Sequence, residues 1–232
     1  MKKALLLSAS SYKDTGYLNH SKGWIKDFLG QNWEEEILFI PFAGVRRTHD
    51  EYEKKVQECL NNTNIKSIHK YKDMKEAVKN AKTIAVGGGN TFMLLHDLYK
   101  YDLVDAIREA VENGAKYFGW SAGANIAGST MMTTNDMPII MPKSFDSFNL
   151  FPHQINPHFI SGKISGHNGE SREERLEEFL IVNQQSTIYA LPEGTALLIN
   201  GNEVELIGHS DALKFEYKKD IATVKLGEKF KI

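Results

Sequence analysis

In Gly119-Trp-Ser-Ala-Gly-Ala124 one serine stands between two glycines, directly after the short apolar run Ala115-Lys-Tyr-Phe118. The spacing fits G-x-S-x-G, the pattern of a serine raised on a sharp turn between a strand and a helix. Glycine suits both flanks because a Cβ there would crowd the serine backbone. Ala122, Ala124 and Ala127 keep the following helix slim, and the turn sets the N–H of Ala122 at a helix N-terminus, where it can face a developing oxyanion. On this reading Ser121 is a nucleophile. The plainer alternative is a packed strand-to-helix junction with a capping serine.

Val86-Gly-Gly-Gly-Asn90 favours the first reading. It lies between the strand-like run Thr83–Val86 and a helical pattern over Thr91–Tyr99, so its N–H groups can open into the cleft that holds Ser121. The N–H of Gly88 or Gly89 is then a second oxyanion donor, with Asn90 as the helix cap. A dinucleotide fingerprint beginning at Gly87 needs glycine at position 92, where Phe92 stands, and no Lys-Ser or Lys-Thr follows to make a P-loop.

A serine hydroxyl needs a base, and eight histidines compete for that role. His20, His49, His69 and His96 fall in or beside regular elements, where a packed or solvated imidazole is the ordinary outcome, and His209 lies late among strands. His153, His158 and His167 occupy a loop-rich region; in Ile155-Asn-Pro-His158 the proline restricts the backbone on both sides of itself, which puts His158 foremost. The acid that orients the base is sought at Asp136, in Thr134-Asn-Asp-Met-Pro138, and at Glu193, in Leu191-Pro-Glu-Gly194, both turn-like. Metal chemistry has little support: there is no H-E-x-x-H, no cysteine pair, and His153 and His158 do not share a helical face. Cys59 falls on the apolar side of a helix and reads as core. Ser171 and Glu174 form a capping box for a charged helix, whose Arg172 and Arg175 read, on residues alone, as a solvated face.

The elements that must position these groups follow from hydrophobic periodicity. Ala4–Ser8, Glu36–Pro41, Thr83–Val86 and Ala115–Phe118 are continuous apolar runs suited to strands buried on both faces; Thr48–Leu60 and Asp102–Glu112 are amphipathic helices between them. The alternation predicts an α/β fold with a mostly parallel central sheet and helices on both faces. Thr133–Ser171 reads as long loops, Glu170–Val182 as a helix, and Thr187–Leu191, Ala196–Ile199, Glu203–Ile207, Leu213–Tyr217 and Ala222–Leu226 as strands, with a hairpin turn at Gly201-Asn202. Residues 1–232 are expected to form a single domain. The balance of 28 Lys+Arg against 30 Asp+Glu, with no basic run, argues against a nucleic-acid partner. No apolar run reaches membrane-spanning length, the N-terminus enters a strand rather than a signal core, and one cysteine excludes an internal disulfide, so a soluble cytoplasmic protein without a membrane partner is expected.

Taken together, Ile40-Pro-Phe-Ala-Gly44, Val86-Gly-Gly-Gly-Asn-Thr-Phe92, Gly119-Trp-Ser-Ala-Gly-Ala124, Thr133-Thr-Asn-Asp-Met-Pro-Ile139, Ile155-Asn-Pro-His-Phe159 and Leu191-Pro-Glu-Gly194 resemble the peptidase E family, the bacterial α-aspartyl dipeptidases. The resemblance runs from the first strand to about Gly194. It implies an α/β fold similar to class I glutamine amidotransferases and a cofactor-free serine peptidase acting on dipeptides with N-terminal aspartate. It places the nucleophile on Ser121, the base on His158, the triad acid on Glu193, and the oxyanion donors on Gly88 and Ala122. It also implies that Asp136 supports activity, by binding the substrate amine or shaping the site, with Asn90 beside it, and that Arg172, with Arg175 second, reads the aspartate carboxylate. The order Ser, His, Glu differs from the Ser, acid, His order of α/β-hydrolases. Two alternatives share the fold: a cyanophycinase-like peptidase and a non-catalytic binding protein.

Overall fold

The computed structural model describes residues 1–163, 166 and 168–232; the candidate His167 lies outside the described residues. The four apolar runs are strands β1 (Lys3–Leu7), β2 (Ile37–Ile40), β4 (Thr83–Val86) and β5 (Lys116–Trp120), and a three-residue strand too short to stand out in the sequence, β3 (Ile65–Ser67), joins them. Their order is β1-β5-β4-β2-β3, with every neighbouring pair parallel. Three C-terminal strands extend this sheet antiparallel beyond β1. They are β8 (Thr195–Asn200), β9 (Glu203–Gly208) and β12 (Lys229–Lys231), and they complete eight strands. The expected hairpin turn at Gly201-Asn202 joins β8 to β9.

Helices cover both faces of this sheet. Leu5 and Leu7 of β1 meet α1 (Lys22–Leu29) and α2 (His49–Leu60) through Ile25, Leu29, Val56 and Leu60. The alternate residues Ala4 and Leu6 join the core on the other face, which takes in α3 (Met74–Asn80), α4 (Thr91–Lys100) and α5 (Val104–Glu112) through Val78, Leu94, Leu98, Ile107 and Val111. Strands apolar on both sides are what two such cores require. Cys59, expected in the core, is half-buried at the rim of α2, while Val56 and Leu60 fill the interior.

Two features depart from the sequence reading. The region expected to be long loops contains β6 (Gln154–Phe159), which lacks alternation because five of its six residues are buried. It pairs in parallel with β7 (Thr187–Pro192), and with β10 (Ala212–Glu216) and β11 (Ala222–Val224) forms a separate four-stranded sheet. The helix α7 (Arg172–Val182) begins two residues later than expected and packs Leu176 and Leu180 against Phe159, Ile188 and Phe215 of that sheet. Ser171 and Glu174 form the expected capping box at its start.

The serine turn depends on backbone meeting backbone. A Cβ on Gly123, in the short helix α6 (Ala122–Asn125), would strike the Val86 carbonyl at the end of β4; one on Gly119 would strike the Gly123 carbonyl. Gly123→Ala is therefore expected to lose at least about 3 kcal/mol, beyond ordinary overpacking because no side chain can move aside. Urea unfolding of Gly123→Ala beside Ala127→Gly measures it, and a loss below about 1 kcal/mol would contradict this close approach.

Candidate active site

The C-terminal ends of the parallel strands all open on one edge, where open α/β sheets gather their functional loops. β5 delivers Ser121, β4 delivers Gly87-Gly88-Gly89, and β1 delivers Ser8. β8 runs antiparallel to β1, so the turn that enters it, Glu193-Gly194, arrives at the same edge. β6 ends there too, because it runs parallel to β7.

Ser121 has φ 54° and ψ −111°, a backbone conformation costly for any residue with a Cβ. Its N–H donates to the Leu7 carbonyl at 3.0 Å, and its own carbonyl accepts from the N–H groups of Ala124 and Asn125 at 3.0 and 2.9 Å. The side chain makes no capping hydrogen bond to α6. Instead Ser121 Oγ lies 2.8 Å from His158 Nε2, and His158 Nδ1 lies 2.6 Å from Glu193 Oε1. A carboxylate can only accept, so Nδ1 carries the proton and donates to Glu193; Nε2 then offers its lone pair to the Ser121 hydroxyl.

His158 also sits in the left-handed region, at φ 53°, where β6 gains a residue against β7 between Asn156 and Phe159. Such a conformation costs about 1–2 kcal/mol for a residue with a Cβ. It is held by neighbours on every side: Asn135 Nδ2 donates to the Pro157 carbonyl at 2.7 Å, Asn156 Nδ2 donates to the Thr133 carbonyl and Asn135 Oδ1 at 2.8 and 2.7 Å, and the His158 N–H donates to Ser8 Oγ at 2.9 Å.

Gly88 and Ala122 flank the serine. A Cβ on Gly88 would come within 3.0 Å of Ser121 Cβ, so the glycine loop lies directly against the reactive side chain. Among the described residues, the N–H groups of Gly88 and Ala122 meet no protein acceptor, whereas those of Gly87 and Asn90 donate to Ile40 and Ala43 carbonyls at 3.1 and 2.9 Å. The loop is fixed from beneath by a chain of polar contacts: Trp120 Nε1 donates to Tyr17 Oη at 2.8 Å, the Tyr17 and Tyr52 hydroxyls meet at 2.9 Å, and Tyr52 Oη donates to the Gly88 carbonyl at 2.8 Å. Burial raises the pKa of both tyrosines, keeping them neutral donors. In the sequence Tyr52 showed only as one residue of an apolar helix face, and Ser8 only as the end of an apolar run; neither carried a signal for the site.

The structure separates the two acid candidates. Glu193 meets the imidazole, while Asp136 lies at the start of α4, its Oδ2 accepting from the N–H and hydroxyl of Thr91 at 2.8 and 2.6 Å and from the Thr134 hydroxyl at 3.2 Å. A carboxylate is stabilised at a helix N-terminus by the free N–H groups there. Asn90 caps the same helix, accepting from the Met93 N–H at 3.0 Å, and its amide donates to the Met137 carbonyl at 2.9 Å, which ties the Asp136 loop down.

Asp136 opens on a recess of about 290 Å³ that also takes in Asn135, Asn156, Arg172, Arg175 and Phe179. The two arginines differ. Arg175 faces Glu170 at 3.8 Å and is largely exposed, whereas Arg172 makes no ion pair among the described residues. Burial first, and the neighbouring Arg175 charge second, lower the Arg172 pKa from its ordinary value. A partly desolvated guanidinium without a carboxylate partner favours an anion in the recess.

With the site's geometry established, comparison with known proteins gives it a family. The model of peptidase family S51 matches residues 4–207. The chain belongs to peptidase family S51. It is 55% identical over 232 residues to peptidase E of Actinobacillus pleuropneumoniae serotype 7 (strain AP76), covering 99% of each chain. It is 59% identical over 210 residues to peptidase E of Haemophilus influenzae (strain ATCC 51907 / DSM 11121 / KW20 / Rd), covering 90% of this chain and 96% of that one. The fold is also that of a peptidase from an acI-B1 Actinobacterium, with a TM-score of 0.70 at 20% identity over 100% of this chain and 97% of the other. In this chain the glycine loop lies beside the hydrogen-bonded row of Ser121, His158 and Glu193. No helix among the described residues is long and apolar enough to cross a membrane.

Removing only the hydroxyl beneath the glycine loop leaves the Gly88 carbonyl without its donor. Tyr52→Phe is expected to lower the unfolding free energy by about 1 kcal/mol, the net worth of a hydrogen bond to a part-buried carbonyl. Urea unfolding checks it, and an unchanged midpoint would show that the loop does not depend on Tyr52.

Proposed function

We propose that the protein is a serine dipeptidase that hydrolyses dipeptides with N-terminal aspartate through an acyl-enzyme on Ser121. The observation that carries the proposal is the unbroken hydrogen-bonded row from Ser121 Oγ through His158 to Glu193. A serine paired with an imidazole whose far nitrogen is held by a carboxylate is the arrangement that makes a hydroxyl nucleophilic at neutral pH.

In the proposed reaction the Ser121 hydroxyl transfers its proton to His158 Nε2 as Oγ bonds to the carbonyl carbon of the aspartyl residue. The N–H groups of Gly88 and Ala122 receive the resulting oxyanion; each such donor is worth roughly 3–4 kcal/mol of barrier in serine peptidases. The tetrahedral intermediate collapses by breaking the C–N bond, and His158 gives its proton to the departing amine. Water then attacks the ester carbonyl, losing a proton to His158, and the return of that proton to Ser121 Oγ releases aspartate. Throughout, Glu193 holds the imidazole tautomer and offsets the charge of the imidazolium.

Specificity belongs to the adjoining recess. Asp136 spends Oδ2 on Thr91 and Thr134 and keeps Oδ1 for the α-ammonium group of the substrate, while Arg172 takes the β-carboxylate with two N–H donors. Arg175 adds long-range attraction, and Asn90 holds the Asp136 loop in place. An ammonium reader and a carboxylate reader in one recess select an N-terminal aspartyl residue over an internal one.

Hydrolysis of Asp-Leu, Glu-Leu, Leu-Leu and a β-aspartyl dipeptide distinguishes the proposal from its alternatives. Asp-Leu is the expected best substrate, and Ser121→Ala is expected to lower its turnover at least about 10⁴-fold. Absent Asp-Leu cleavage, or cleavage undiminished in Ser121→Ala, would overturn the reading. For Arg172→Ala, kcat/KM on Asp-Leu is expected to fall about 10- to 100-fold, the worth of hydrogen bonds to a charged group, with a much smaller change on Asn-Leu. Equal losses on both substrates would make Arg172 a structural residue.

A further inference from the structure

We infer that Ser8 is the positioning residue of the proposed triad: its hydroxyl sets the height of His158 and ties it to the strand that delivers Glu193. The inference rests on the reading of His158 as the general base.

Ser8 follows the last residue of β1, is wholly buried, and spends its N–H and its hydroxyl at the active-site edge. Its backbone N–H donates to the Thr195 carbonyl at 3.0 Å, which fixes the strand end against the start of β8. Its Oγ accepts the His158 N–H at 2.9 Å and donates to the Leu191 carbonyl at 2.7 Å. The residue before it, Leu7, accepts the N–H of Ser121 at 3.0 Å. Two consecutive residues therefore hold the backbone of the nucleophile, the backbone of the base, and the strand two residues before the acid.

The hydroxyl is needed because one atom must accept and donate at once. A hydroxyl does both; alanine does neither, and a thiol does each weakly. The place where it acts is the weakest point of the row. His158 lies at the irregular step of β6, with a positive φ, where the β6–β7 ladder does not hold it in register. Ser8 replaces the missing ladder contact by joining the His158 N–H to the Leu191 carbonyl directly opposite. It also links the two sheets, since β1 belongs to one and both β6 and β7 to the other. Without the link the imidazole can settle away from Ser121, and a displacement of about 1 Å at a reacting group costs on the order of 100-fold in rate.

Ser8→Ala, Ser8→Thr and the control His158→Ala are compared on Asp-Leu, alongside the rate at which a fluorophosphonate labels Ser121 and the far-downfield proton resonance of the His158 Nδ1–H. Ser8→Ala is expected to lower kcat about 10- to 100-fold with KM within about twofold, to slow labelling in the same proportion and to weaken the downfield resonance. Ser8→Thr, which keeps the hydroxyl, is expected to recover most of the rate and the resonance. Should Ser8→Ala not fold, Ser8→Cys is read by the same criteria. A folded Ser8→Ala with wild-type kcat overturns the inference, as does a loss that Thr does not restore while KM and kcat fall together. Failure of the general-base reading is separate: it shows as His158→Ala retaining wild-type turnover and labelling.

Discussion

The turn at Ser121 is held by close backbone packing and one buried side-chain hydroxyl, and the rest of the site is arranged around it. Gly119 and Gly123 let the chain fold back on itself; Gly123 presses on the Val86 carbonyl, and the buried Tyr117 hydroxyl donates to the Gly123 carbonyl at 2.5 Å. The unfavourable backbone angles of Ser121 are compensated by the hydrogen bond to Leu7 and by the helical bonds that its carbonyl accepts. Because β4 and β5 are adjacent and parallel, this same packing brings the glycine loop beside the serine. The proposed nucleophile and oxyanion donors thus share one rigid support, which is how a site avoids reorganising as charge develops.

The proposed base and acid come from elsewhere. His158 and Glu193 stand at the ends of β6 and β7, in a sheet distinct from the one that carries Ser121. Glu193 lies where the chain leaves β7 and enters β8, so one two-residue connection belongs to both sheets. A Cβ on Gly194, at φ 77°, would run into the Tyr12 ring, so this connection needs glycine. Such an arrangement gives the row a fixed geometry only if the two sheets are locked together, and the contacts of Ser8 with His158 and Leu191 are a direct lock.

Much of this was legible in the sequence where covalent geometry dictates residue type. A sharp turn demands small flanking residues, so Gly119, Gly123 and the Gly87–Gly89 run announced themselves, as did the doubly buried strands and the capping box of α7. Three strands of the second sheet were legible, but β6 was not, because it carries Pro157 and is buried on both sides, so it shows neither alternation nor a clean apolar run. On residue types alone Asp136 and Glu193 looked alike as turn carboxylates, and only the family resemblance put the triad acid on Glu193; the fold sends one to a helix N-terminus and the other to an imidazole. Ser8 and Tyr52 gave no signal at all, since a buried hydroxyl declares itself only through partners distant in the chain.

The proposed site has two parts, the row of Ser121, His158 and Glu193 and the recess that holds Asp136 and Arg172. Glu193 meets the imidazole, while Asp136 and Arg172 line one recess, where a partly buried guanidinium with no ion-pair partner among the described residues favours a carboxylate. The account stands on a covalent intermediate at Ser121. Acid quenching of the protein within its first turnovers of Asp-Leu, followed by intact-mass analysis and peptide mapping, tests it directly. The account predicts a mass increase of one aspartyl residue confined to the peptide that carries Ser121, and none in Ser121→Ala. Steady Asp-Leu turnover with the adduct on another residue, or with the same turnover in Ser121→Ala, would contradict it.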